Sequence, residues 1–134
     1  MAWYGPWMGV LIVDDDTDLR DSLRRALEGE GYETSCAANG REALNLLVAP
    51  ESRPCLVLLD IMMPVMNGLD FLDLMATDGA LCAIPVVVMT AHARERRNQA
   101  HPSRSPGRFL RKPVSLDTLL SLVEQYCPRR IQPK

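Results

Sequence analysis

Five residues of this 134-residue chain share one kind of position. Asp14 and Asp15 follow the apolar run Met8–Val13 (MGVLIV), and Asp60 follows Cys55–Leu59 (CLVLL). Thr90 follows Ile84–Met89 (IPVVVM), and Lys112 follows the short run Arg108–Arg111 (RFLR). Three carboxylates gathered in one crevice repel one another unless positive charge lies between them. Mg2+ suits that role, because it takes oxygen ligands, often one or two carboxylates, and commonly shares a phosphate. Lys112 adds a fixed positive charge and Thr90 a hydroxyl donor. A metal, a lysine and a hydroxyl aimed at one point supply the positioning and charge neutralisation on which phosphoryl transfer depends. In that chemistry Asp60 is a carboxylate nucleophile, and the product is an acyl phosphate.

Taken singly, none of these residues says much. One Asp at a strand end is commonly a turn or cap residue, and one Thr or Lys there is ordinary surface. The weight lies in five such residues closing four separate strand-like runs.

Those runs alternate with helical segments. After the first, Leu19, Leu23, Ala26 and Leu27 mark one helix face that stops near Gly29 and Gly31. Glu33–Ala38 is a weaker second strand. Asn39 is placed to cap the next helix with Glu42 as its capping-box partner, and Ala43, Leu44, Leu47 and Val48 form its apolar face. Pro50 and Pro54 break the chain before the third strand. A loop with Pro64 and Gly68 leads to a helix carrying Leu69, Leu72 and Met75. Ser115 caps a last helix whose Leu116, Leu119, Leu120 and Val123 are spaced for burial. Strands alternating with helices predict a doubly wound α/β fold, a parallel sheet covered on both faces. In such sheets the ligand site lies beyond the carboxyl ends of the strands, where strand order reverses. The five residues fall at those ends.

Composition fits one soluble domain: 47% apolar residues, 24% charged, and no apolar run of the ~18 residues that a bilayer span requires. Met1–Val13 lacks a basic start and a small-residue cleavage site, so a secretory signal is not expected. The four cysteines, Cys36, Cys55, Cys82 and Cys127, form no CxxC pair. They read as small hydrophobes in a reducing cytoplasm, Cys55 within a core strand. Net charge is −2 but unevenly spread: residues 1–60 hold 11 acids and 5 bases, residues 61–134 hold 6 acids and 10 bases.

The chain resembles a response-regulator receiver domain of two-component signalling over about residues 8–127. The matching segments are VLIVDDD (Val10–Asp16), LLDIMMPVMNG (Leu58–Gly68), VVVMTA (Val86–Ala91) and FLRKP (Phe109–Pro113). The resemblance implies a flavodoxin-like, five-stranded sheet of order 2-1-3-4-5. It implies Asp60 as phosphoacceptor, and Asp15, Asp60 and the Met62 backbone carbonyl as Mg2+ ligands, with Asp14 acting mainly through water. It implies that Thr90 swings toward the phosphoryl group, that Lys112 pairs with it, and that Phe109 is an aromatic switch. It also implies a cis bond between Lys112 and Pro113. The resemblance also implies that Met62 and His92 occupy positions that tune phosphate lifetime; Met62 has no group to orient an attacking water, so a long-lived phosphoryl state is expected. The donor would be a sensor histidine kinase or a histidine phosphotransfer protein, and the output a protein target or a fused domain, with a homodimer left open. Chemistry beyond phosphoryl acceptance and slow self-dephosphorylation is not expected of such a switch.

One segment departs from the family. His92–Gly107 (HARERRNQAHPSRSPG) contains no Val, Ile, Leu, Met or aromatic residue. A buried Leu or Val would contribute ~1.5–3 kcal/mol to anchoring a helix there, and Pro102 and Pro106 exclude a regular helix over the second half. The fourth helix is therefore expected to be short or disordered. Between His92 and Lys112 there are seven basic residues and one acid, Glu95. Without a recognition helix or stacking aromatics, this strip reads as solvated surface rather than a nucleic-acid site. Residues 1–7 read as an N-terminal extension and 128–134 as a C-terminal tail, so the chain is either a stand-alone receiver or a receiver cut from a longer protein.

Rival readings of the aspartates fare worse. Asp14, Asp16 and Asp18 start like an EF-hand, but its sixth and twelfth positions hold Leu19 and Arg25 instead of Gly and Glu. A haloacid-dehalogenase-like phosphatase would be matched only by Asp14-x-Asp16, with Asp18 where Thr or Val belongs. A pseudo-receiver that binds partners without phosphate would keep the fold and drop the chemistry, yet every acceptor-site position holds the expected residue type.

Overall fold

The computed structural model describes residues 9–48, 53–60, 68–79, 81–90 and 108–127. Five strands, β1 (Val10–Val13), β2 (Thr34–Ala37), β3 (Leu56–Asp60), β4 (Val86–Thr90) and β5 (Arg108–Arg111), pair in parallel in the order β2-β1-β3-β4-β5. The register sets Val13 beside Leu59, Asp60 beside Met89 and Thr90 beside Arg111. The flavodoxin-like order expected from the resemblance is thus the observed one. The segment between β4 and β5, where a short or disordered fourth helix is expected, lies outside the described residues.

The central strands are continuous apolar runs because both of their faces are covered. One face packs Val10, Ile12, Leu56, Leu58, Val87 and Met89 against Leu23 and Leu27 of α1 (Thr17–Gly29) and Leu119, Leu122 and Val123 of α4 (Leu116–Tyr126). The other packs Leu11, Val13, Val57, Leu59 and Val88 against α2 (Gly40–Leu47) and α3 (Gly68–Thr77), through Ala43, Leu47, Phe71 and Met75. The buried stripe of α4 differs from expectation: Leu122 is buried, whereas Leu116 in the first turn is exposed. Val48 is likewise exposed rather than part of the apolar face of α2, because it stands at the C-cap, past the last helical turn.

Local chemistry sets the helix ends. The Asp16 carboxylate accepts the Leu19 N–H at 3.1 Å and caps α1. At its other end Gly31, with φ 92°, adopts the left-handed conformation. There its N–H donates to the Glu28 carbonyl and the Tyr32 N–H to the Leu27 carbonyl, both at 3.1 Å, closing a Schellman motif. Asn39 caps α2 by accepting the Glu42 N–H at 2.9 Å, while Glu42 reaches back to the Ala38 N–H at 2.8 Å. The capping box is present, with its return bond one residue earlier than the standard pattern. Ser115 caps α4 as expected.

The cysteines require a correction. Cys55, just before β3, and Cys127, at the C-cap of α4, are joined as a disulfide with a Cα–Cα separation of 5.4 Å. Helix α4 runs back along the sheet, so its C-terminal end returns to the end at which β3 begins. A pairing across 72 residues leaves no local spacing from which it could be read. Cys36 and Cys82 are free thiols.

Candidate functional site

The reversal of strand order falls between β1 and β3, and the crevice beyond their carboxyl ends receives Asp14 and Asp60 from adjacent strands. Asp14 continues the sheet: its N–H donates to the Ala37 carbonyl at 3.1 Å. Its side chain has no solvent exposure, and Asp60 retains 5%. Asp15, one residue further, is exposed. Carboxylate oxygens of Asp14, Asp15 and Asp60 all lie within 4.8 Å of one another. A hard divalent cation with oxygen preference suits that donor set, and without positive charge the set is self-repelling.

Positive charge enters from β5. The Lys112 ammonium donates to Asp14 Oδ2 at 3.0 Å and lies 3.6 Å from Asp60 Oδ1. Its backbone is fixed by an N–H to the Thr90 carbonyl at 2.9 Å, which extends the β4–β5 ladder past its last strand pair. The Lys112–Pro113 bond is cis. Burial alone would lower the Lys112 pKa, but the hydrogen bond and charge of Asp14, with the charge of Asp60, outweigh it and hold the pKa above the ordinary lysine value. The ammonium therefore stays charged throughout the neutral range.

The turn after β1 is also tied down. Asp14 Oδ1 accepts the Asp16 N–H at 2.9 Å, an Asx turn. The Arg20 guanidinium donates to the Asp14 carbonyl at 2.6 Å and reaches Thr17 Oγ1 at 3.3 Å. Sequence reasoning missed Arg20. The available signal was a basic residue in the first turn of a helix, where the helix dipole disfavours it and a local acceptor must compensate.

The remaining predicted residues divide in two. Thr90 is buried at the end of β4, one position past the Asp60–Met89 pair. Phe109, opposite Val88 on β5, is half-buried and packs against the α2/α3 side of the sheet. Met62 and His92 lie outside the described residues.

A family model of the response regulator receiver domain matches residues 10–124. The chain belongs to the response-regulator receiver family. Receiver domains are phosphorylation-dependent signalling switches of two-component systems rather than classical enzymes, and typically bind Mg2+ at an acidic pocket. Over 120 residues this receiver is 39% identical to an uncharacterized 14.6 kDa protein from the sodA1 3' region of Leptolyngbya boryana, covering 90% of each chain. It is 38% identical over 112 residues to response regulator MprA of Mycolicibacterium vanbaalenii, covering 84% of this chain but 47% of that one. The chain thus spans about half the length of the MprA relatives it matches. Among solved structures, chemotaxis protein CheY4 of Vibrio cholerae superposes with a TM-score of 0.77 at 30% identity, covering 89% of this chain and 98% of the other. The receiver domain of a signal transduction histidine kinase from Syntrophus aciditrophicus gives 0.78 at 30% identity, covering 89% of each. No helix among the described residues is long and apolar enough to cross a membrane.

Proposed function

We propose that this receiver accepts a phosphoryl group on Asp60 from a phosphohistidine of a sensor kinase or phosphotransfer protein, in an Mg2+-dependent reaction. The observation that carries the reading is the Lys112 ammonium set against Asp14 and Asp60, with Asp15 at the rim of the same crevice. Asp14, Asp15 and Asp60 are the side chains that would hold the cation, together with the Met62 carbonyl. Bound there, Mg2+ would neutralise charge on the carboxylates and on the incoming phosphoryl oxygens.

An Asp60 carboxylate oxygen attacks phosphorus while the phosphorus–nitrogen bond to the donor imidazole breaks, its electron pair leaving on nitrogen. Lys112 exchanges its contact with the Asp60 carboxylate for one with the new phosphoryl oxygens, keeping Asp14 as its second partner. Thr90 turns its hydroxyl toward the same oxygens, and Phe109 follows as the aromatic switch. Residues 8–127 act as the switch, flanked by an extension (1–7) and a tail (128–134), and the output is altered binding of a protein partner or a linked domain. Met62 and His92, two residues beyond Asp60 and Thr90 in the sequence, set how long the phosphate survives.

Acetyl phosphate and beryllofluoride, each offered with and without Mg2+, test this directly. An Mg2+-dependent gain of one phosphoryl group from acetyl phosphate, and of one beryllofluoride adduct in its place from beryllofluoride, both lost in Asp60→Asn, is expected; no gain in the parent would favour a phosphate-independent interaction module.

A further inference from the structure

We infer that Cys55 and Cys127 form a reversible crosslink, closed by a thiol-oxidising disulfide, that fastens the C-terminal helix to the end of the sheet opposite the acidic site. The inference does not depend on the acceptor chemistry proposed above. Both residues are nearly buried, at 8% and 6% exposure, within the cluster that seats α1 and α4 on the sheet. Their 5.4 Å Cα separation lies in the range that a disulfide bridges without backbone movement. Both backbones are held independently of the bond. The Cys55 N–H donates to the Gly9 carbonyl at 2.9 Å, and the Cys127 N–H to the Val123 carbonyl at 2.8 Å. The other two thiols are placed elsewhere: Cys36 is on β2, separated from β3 by β1, and Cys82 is exposed in the 3-10 turn Leu81–Ala83.

The loop that this bond closes contains Asp60, Thr90 and Lys112. Oxidation would therefore restrain the part of the chain that carries most of the site, chiefly by limiting its unfolded conformations. Closure converts two protein thiols into one disulfide while the oxidant, a small disulfide such as oxidised glutathione, leaves as two thiols. A dithiol reverses it. Burial of both sulfurs makes exchange depend on release of the last turn of α4, so the closed form should be reduced slowly.

The test uses the full chain. After incubation with oxidised glutathione, it is unfolded without reductant, alkylated and digested. Two alkylated thiols, Cys36 and Cys82, and a linked peptide joining Cys55 to Cys127 are expected, with all four thiols alkylated after dithiothreitol. Four alkylated thiols after oxidation, glutathione adducts in place of the linked peptide, or a link through Cys36 or Cys82 would overturn the inference. A second measurement reads thermal midpoints. The oxidised parent should melt ~10 °C above the reduced parent, and Cys127→Ser should show no such difference; an equal difference in that variant also overturns it.

Discussion

The Lys112 ammonium lies 3.0 Å from Oδ2 of Asp14, a carboxylate with no solvent exposure, and spans from it toward Asp60. Two ends of non-adjacent strands, β1 and β5, are thereby held by one ion pair across the acidic crevice. Removing one partner of such a pair leaves a buried charge uncompensated, which costs more than the pair itself contributes.

Lys112→Met should therefore destabilise the protein by ~1–3 kcal/mol in the absence of divalent cations. Mg2+ should raise the denaturation midpoint of this variant more than that of the parent, because the cation meets carboxylates no longer shared with an ammonium. Urea melts with and without Mg2+ check this; equal Mg2+ shifts in the two proteins would count against it.

Arg20→Ala should weaken Mg2+ binding several-fold, measured by titration calorimetry, and cost ~0.5–1.5 kcal/mol for the lost hydrogen bonds. Its guanidinium pins the carbonyl of Asp14, so the turn presenting two of the three carboxylates loses a restraint. Arg24→Ala is the control, since its partners Asp21 and Glu28 are half-exposed neighbours on the same helix, and such pairs contribute ~0.3–0.5 kcal/mol. An unchanged affinity in Arg20→Ala would remove it from the site's support.

A doubly covered parallel sheet and the strand-end positions of the site residues were legible because each rests on local pattern, while the strand order followed only from the resemblance. Runs such as CLVLL declare a doubly covered strand, and residues directly after them inherit the site by position. Asn39, Ser115 and Gly31 mark helix ends through chemistry confined to a few residues. Arg20 was harder to read because its partner is a backbone carbonyl, which no side-chain spacing advertises; only its unfavourable place in the first turn of α1 hinted at it. The Cys55–Cys127 pairing was hidden for a different reason. It depends on α4 returning to the start of β3, a tertiary consequence of winding that two distant cysteines do not reveal.

Burial raises the pKa of the Cys36 thiol above the ordinary cysteine value, with Arg20 and Arg24 opposing it and Asp21 and Glu28 adding to it. Deprotonation is what makes a thiol reactive. Iodoacetamide at pH 8 should accordingly label Cys36 more slowly than exposed Cys82, the gap narrowing as pH rises. Peptide mapping of a labelling time course reads both rates, and faster labelling of Cys36 would contradict the half-buried placement of that side chain.

Met62→Asn should shorten the lifetime of the phosphorylated state, because an amide can orient a water that a thioether cannot. Decay followed by intact mass after removal of the phosphodonor measures it. A variant that loses phosphate no faster than the parent would separate Met62 from phosphate lifetime.

Phosphoryl acceptance by Asp60 is best tested by intact-mass measurement after acetyl phosphate treatment, with Mg2+ and with Mg2+ chelated, on the parent and on Asp60→Asn. The expected result is one added phosphoryl group in the parent, only with Mg2+, located at Asp60 by peptide mapping and absent from the variant. Uptake that survives in Asp60→Asn, or a parent that takes up none with Mg2+ present, would contradict the role assigned to the crevice where Lys112 meets Asp14 and Asp60.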